Sequence, residues 1–212
     1  MDRQHLNNLI KSKLDELGPW DNPELINSPM VDIQMNEAAI DVLSEVPAYI
    51  HSAVYDFSSS PMIYAGRNKW TILLPSDFIK IARFKISSWH RGIVNLINES
   101  TSAYKRQSNP YSRAGNAKPV GVLRQSSNGD KYIDFIAYNV AGQELEVDTA
   151  LCVNKLLPEA LPLELIEPFV LRAAEKTLIV TNEIDRATAV KNEYARWITD
   201  KTNLNVKQLS GR

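Results

Sequence analysis

The side chains with the most chemical capacity are thinly spread along this chain. Its three histidines, His5, His51 and His90, lie far apart in sequence. Imidazole titrates near neutral pH and binds metals, but either task needs partners brought close. His5 and His51 fall on predicted helices beside polar neighbours, a solvated setting. Asp130 and Asp134 could pair as carboxylates for acid–base work. As alternating residues of one strand they are expected instead to share a solvated face. Cys152 stands in Ala150-Leu151-Cys152-Val153 with only apolar neighbours, which predicts a buried, inert thiol rather than a nucleophile. No HExxH, GxSxG, GxGxxG, Walker A or CxxC pattern occurs. These absences predict no catalytic residue, no bound metal and no organic cofactor. The alternative is a soluble enzyme whose site is assembled from scattered residues.

One constellation has a chemical character. Residues 98–117 read NESTSAYKRQSNPYSRAGNA, a polar and basic stretch with interleaved aromatics. Lys105, Arg106, Tyr111 and Arg113, with Lys118 just beyond, could follow a phosphate backbone and stack bases. The same residues could dock on an acidic neighbour, and the near-neutral chain favours that second use. They are taken as interface residues, with a nucleic-acid binding module as the rival.

Charge supports looking for a partner. The formal net charge is -1. Residues 78–129 hold nine Lys or Arg against Glu99 alone, a local +8, while residues 1–57 hold ten acids and three bases, a local -7. Such a split predicts charge-complementary contacts between copies or with neighbours. The composition, 44% hydrophobic and 23% charged over 212 residues, suits an ordinary globular chain that needs no disulfide or metal staple. The N-terminus lacks the charged-then-apolar run of a signal peptide, and no apolar stretch approaches the roughly 20 residues of a membrane span. A soluble protein without membrane contact is expected.

Several elements must position these residues. Leu6, Leu9, Ile10, Leu14 and Leu17 predict an amphipathic helix over 3–17, ended by Gly18-Pro19. Three prolines predict a connecting loop over 19–35. A second helix is expected from Asn36, with Ile40, Leu43, Val46, Ile50, Val54 and Phe57 as its stripe, kinked at Pro47 and closed by Ser58 to Pro61. The texture then turns to short β-branched and aromatic runs, which predict an antiparallel β region with a bulge where the alternation slips at Ala82. Asn128-Gly129-Asp130 and Ala141-Gly142-Gln143 mark turns. Within 98–117 a single helical turn is expected near 102–107. Pro162 and Pro168 suit helix starts, and Asn182 opens a last helix to about Lys201. The fold class is therefore α+β: a helical bundle from both chain ends (1–60 and 156–202), a β-rich insertion (61–155) with a long basic loop, and a polar tail (203–212).

Leu73-Leu74-Pro75-Ser76-Asp77-Phe78-Ile79-Lys80-Ile81, followed by Phe84-Lys85-Ile86-Ser87-Ser88-Trp89, carries a resemblance. It is similar to the head-to-tail connector (adaptor or ring) proteins of short-tailed bacteriophages, crAss-like phages in particular. Their leucine-proline-acid-aspartate-phenylalanine pattern leads into a strand and a tryptophan, and Ser76 stands at the acid's position. Tyr104 to Gln107, Asn109-Pro110-Tyr111, Arg113, Gly115-Asn116 and Lys118-Pro119-Val120 are also similar, as are Ala173-Ala174 and Asp185-Arg186-Ala187. The match covers roughly residues 60 to 200, and none of it is catalytic. The resemblance implies a structural virion protein of the neck, assembled in the host cytoplasm as a ring homo-oligomer, a dodecamer being one candidate count. Its partners would be the portal, the tail or other neck proteins, and genomic DNA passing through the lumen without sequence-specific binding.

Overall fold

The computed structural model describes residues 1–17, 29–51, 53–54, 62–66, 68–109, 114–137 and 145–210. The chain divides into two compact units, Met1–His51 with Lys155–Arg212, and Ser52–Asn154. The first is helical and the second is β-rich, so the protein is of mixed α+β class.

The helical unit begins with α1 (Arg3–Asp15), capped by the Asp2 carboxylate, which accepts the His5 amide at 2.7 Å. Leu6, Ile10 and Leu14 are buried, as helical spacing requires. The Gly18-Pro19 stop lies outside the described residues. The next helix, α2 (Pro29–Glu45), starts well before the expected Asn36. Two physical features extend it into the expected loop. Pro29 fits a first helical position, where its missing N–H costs nothing. Val31, Met35, Ala38 and Val42, spaced four, three and four apart, continue the buried stripe backwards. Ile40, placed on the buried face from sequence, is exposed. The helix stops at Glu45, so Pro47 follows its end rather than kinking it, and Val54 belongs to a strand. Phe57 and the Ser58–Pro61 stretch lie outside the described residues.

Two 3-10 turns, Pro158–Ala160 and Leu163–Leu165, lead into α4 (Ile166–Val180). The intervening helix, α3 (Ser102–Lys105), belongs to the β unit. Helix α4 is the hub of its unit: α1, α2 and the last helix, α5 (Ile184–Ser210), all pack on it. Phe169, Ala173, Ala174 and Leu178 of α4 are buried. Asn182 joins the two helices with φ 64°, and the Glu183 amide reaches back to the Leu178 carbonyl at 2.8 Å. It is thus the left-handed link that ends α4, a position Asn tolerates, and not the start of α5. Ala187, Val190, Tyr194 and Trp197 form the buried stripe of α5. That helix continues to Ser210, through residues expected as a polar tail. No glycine or proline interrupts 203–210, so nothing in the sequence breaks the ladder before Gly211.

The β unit holds two sheets. One is ordered β1-β8-β4, from β1 (Ala53–Val54), β8 (Val147–Asn154) and β4 (Phe78–Ile86). The other is ordered β2-β3-β7-β6-β5, from β2 (Ile63–Gly66), β3 (Lys69–Leu73), β7 (Lys131–Ile136), β6 (Gly121–Gln125) and β5 (Leu96–Asn98). An antiparallel region was expected, but β5 pairs with β6 in parallel. The connection from β5 to β6 contains α3 (Ser102–Lys105), and a parallel return needs a crossover of this kind. The alternation slip at Ala82 coincides with a register shift between Ile81 and Arg83 against β8. Gly129, with φ 90°, makes the turn between β6 and β7, where the Ser126 amide bonds the Asp130 carbonyl at 2.8 Å. The Ala141-Gly142-Gln143 turn lies outside the described residues. Phe84, Trp89 and Phe135 meet edge to face with centroids 5.5–5.6 Å apart. The Trp89 indole N–H donates to the Ile136 carbonyl at 3.2 Å, which ties the tryptophan of the motif to β7.

Candidate functional site

The basic stretch is organised around α3. The Thr101 hydroxyl caps this short helix by accepting the Tyr104 amide at 3.2 Å. A 3-10 turn, Arg106–Ser108, continues it. Gln107 then acts as a latch: its Nε2 donates to the Ala103 carbonyl at 3.0 Å, and its Oε1 accepts the Ala114 amide at 2.8 Å. The latch holds Tyr104 and Lys105 over the five-stranded sheet. Between them and the sheet lies a cleft of about 460 Å³, with Val120, Val122, Phe135 and Ile136 as an apolar floor and Lys69 and Asp134 beside it.

Of the residues singled out from sequence, Lys105 reaches this cleft, and Arg106 is exposed next to it. Lys118 is also exposed but sits on a separate turn, where its amide bonds the Gly115 carbonyl at 3.1 Å. Tyr111 and Arg113 lie outside the described residues. Of the three that are described, Lys105 and Arg106 lie at the end of α3 and Lys118 on the other turn.

Asp134 corrects a sequence expectation. It is not on a solvated face, being only 6% exposed. In register with Thr71 on one side and Val122 on the other, it accepts the Thr71 hydroxyl at 2.6 Å. Lys69 lies 2.8 Å from its carboxylate and Arg124 3.2 Å, and Arg124 also pairs with Glu99 at 2.6 Å. Burial pushes the Asp134 carboxyl up, but hydrogen bonds from Lys69 and Thr71 and the ammonium charge outweigh it. The group is held below its ordinary range. A carboxylate stabilised as an anion between two cations is a weak proton acceptor, so its role is to hold three strands together. Asp130 is exposed in the turn and does not pair with it. Sequence offered one missed signal: Lys69, Thr71, Arg124 and Asp134 have the parity of one sheet face once the strand pairing is known.

Elsewhere, Cys152 is buried in β8, and burial with the nearby Asp77 charge pushes its thiol up to about 11. His5 and His90 are exposed, and His51 is half-buried in the turn after α2 rather than on a helix. Among the described residues, no group of three His, Cys, Asp or Glu could hold a metal ion. No helix among them is long and apolar enough to cross a membrane.

The acidic N-terminal segment was expected to face partners, yet the helical unit answers much of its charge. Asp41 lies 3.0 Å from both Arg172 and Lys176, Glu45 3.2 Å from Arg172, Glu37 3.2 Å from Lys176, and Asp32 2.9 Å from Arg3. These acids project from α2 toward bases on α4 and α1, where helix packing already brings them close. Compared with known proteins, the chain matches no family model and no curated relative.

Proposed function

We propose that this chain is a structural subunit of the neck of a tailed bacteriophage, forming a ring that joins portal to tail and lets DNA pass. The observation that carries this reading is the placement of exposed apolar side chains at both ends of one rigid helix. Leu157 and Leu163, 68% and 76% exposed, precede α4. Ile179 and Val180 end it, and Ile184 starts α5, also exposed. Fifteen residues of helix separate the two stretches by roughly 22 Å. Single exposed apolar residues are ordinary, but two groups on rigid elements supply two different contact faces. Association through different faces is what closes a ring.

Two further points support the reading. In the segment that resembles connector proteins, Leu74, Phe78, Ile81, Phe84, Ile86 and Trp89 are buried core residues, so the resemblance concerns packing and not chemistry. Residues from both chain ends share one helical unit, which suits a bundle with the β unit inserted into it. The test is negative-stain imaging and mass measurement of the purified protein, alone and with a portal. Closed rings are expected. A monomer at all concentrations, with and without portal, would sink the proposal.

A further inference from the structure

We propose that Arg83, Arg91 and Lys118 form a contact surface for the phosphodiester backbone of a nucleic acid. This goes beyond the ring reading, which needs DNA to pass and not to be held. The three bases come from separate segments that backbone bonds bring together. Phe84 and Ile93 exchange both amide-to-carbonyl bonds, at 2.8 and 2.9 Å, which lays the segment after Arg91 beside β4. Gly92 makes room there for the Arg83 side chain: a β-carbon would come within 3.2 Å of its Nε and 3.3 Å of its Cγ. The His90 amide donates to the Asn116 carbonyl at 3.0 Å, which ties in the turn where the Lys118 amide bonds the Gly115 carbonyl at 3.1 Å.

All three are exposed, and among the described residues no carboxylate pairs with them. Other bases of the β unit do have acidic partners: Lys69 has Asp134, Lys85 has Asp148 and Arg124 has Glu99. A cluster of unanswered cations on fixed backbone attracts an external polyanion, and the guanidinium fork matches phosphate oxygens. A second copy of this chain is a poor source of that anion. Glu37, Asp41 and Glu45 of its acidic segment are already held by Arg172 and Lys176. An acidic protein would dock through large apolar anchors, and Val94 is the only large apolar side chain exposed within residues 87–95. Contacts to a phosphate backbone need no such anchor.

The experiment measures binding of two fluorescently labelled DNA duplexes of unrelated sequence to the full chain, by anisotropy, at several salt concentrations. Both duplexes should bind alike, with affinity falling steeply as salt rises. Arg83→Gln, Arg91→Gln and Lys118→Gln together should weaken binding at least about tenfold at low salt. They should also lower the salt slope by roughly 2 to 3, since each lost phosphate contact removes about one released counterion. The thermal midpoint checks the fold, and Arg91→Gln with Lys118→Gln repeats the test without touching the side chain packed on Gly92. No binding by the parent, or an unchanged slope in the variants, would overturn the proposal. Polyglutamate competing as strongly as DNA at equal charge would overturn it in favour of an acidic protein. Binding lost through Lys105→Gln with Arg106→Gln, and not through the three, would overturn it by moving the contact to α3. Each result reads the same for a monomer and for a ring, so the ring reading stands or falls separately.

Discussion

At the scale of single residues, Asp134 shows how position converts a plain carboxylate into a strut. Its depressed pKa has a definite consequence for stability. As pH falls, the unfolded chain takes up the proton first, near about pH 4, while the folded carboxylate still resists it. The stabilisation is therefore full above that value and is lost as pH falls through the folded pKa. Asp134→Asn should destabilise the protein by about 2 kcal/mol at neutral pH, because Lys69 and Arg124 lose their shared anion. Urea midpoints taken from pH 6 to pH 2.5 should fall more gently for the variant than for the parent; parallel curves would show that Asp134 does not couple to folding. Cys152 makes a second residue-scale case. With its thiol buried and protonated at pH 8, labelling by a thiol reagent should be slow in the native protein and should track unfolding in denaturant. Rapid native labelling would mean β8 opens readily.

At the scale of elements, the helical unit depends on Arg172. From α4 it reaches Asp41 and Glu45 on α2 and Glu175 on its own helix, and it lies 5.5 Å over the Tyr194 ring of α5. One guanidinium thus contacts three helices, which its fork of donors permits and a lysine would not. Glu175 is only 4% exposed, so removing its partner strands a buried charge. Arg172→Ala should cost about 2–3 kcal/mol in chemical denaturation, and Glu175→Gln in the same background should recover part of it. Equal effects of the single and double variants would show that the buried charge is not the cause. Among the strands, the parallel β5–β6 pair depends on Gly121, where a β-carbon would run into the Ile93 and Leu96 side chains. Gly121→Val is expected to destabilise by about 2 kcal/mol through overpacking.

At the scale of the whole molecule, charge and shape have separate tasks. The helical unit neutralises many of the N-terminal acids internally, while Lys105 and Arg106 are exposed beside the cleft of the β unit. If the proposed ring forms through this stretch, Lys105→Glu with Arg106→Glu should weaken its assembly and the salt sensitivity of that assembly while leaving the thermal midpoint within about 2 °C, since exposed loop substitutions rarely change stability much. If the same variant assembled normally but lost salt-sensitive DNA binding, the nucleic-acid function would take precedence over the interface.

The sequence by itself determined what depends on neighbours in the chain. The Leu6–Ile10–Leu14 stripe, the Gly129 turn, the slip at Ala82 and the helical turn near Tyr104 follow from local spacing and backbone preference, and each is visible without tertiary knowledge. Helix limits were less legible: Pro29 extended α2 backwards, and α5 passed through a stretch that polarity alone marks as a tail. Tertiary structure decided everything that needs distant segments to meet. The parallel return of β5, the pairing of Asp134 with Lys69, and the cleft that Lys69 and Phe135 share with Tyr104 all join residues far apart along the chain. Local periodicity records which face of an element is apolar; it carries no record of which other face will cover it.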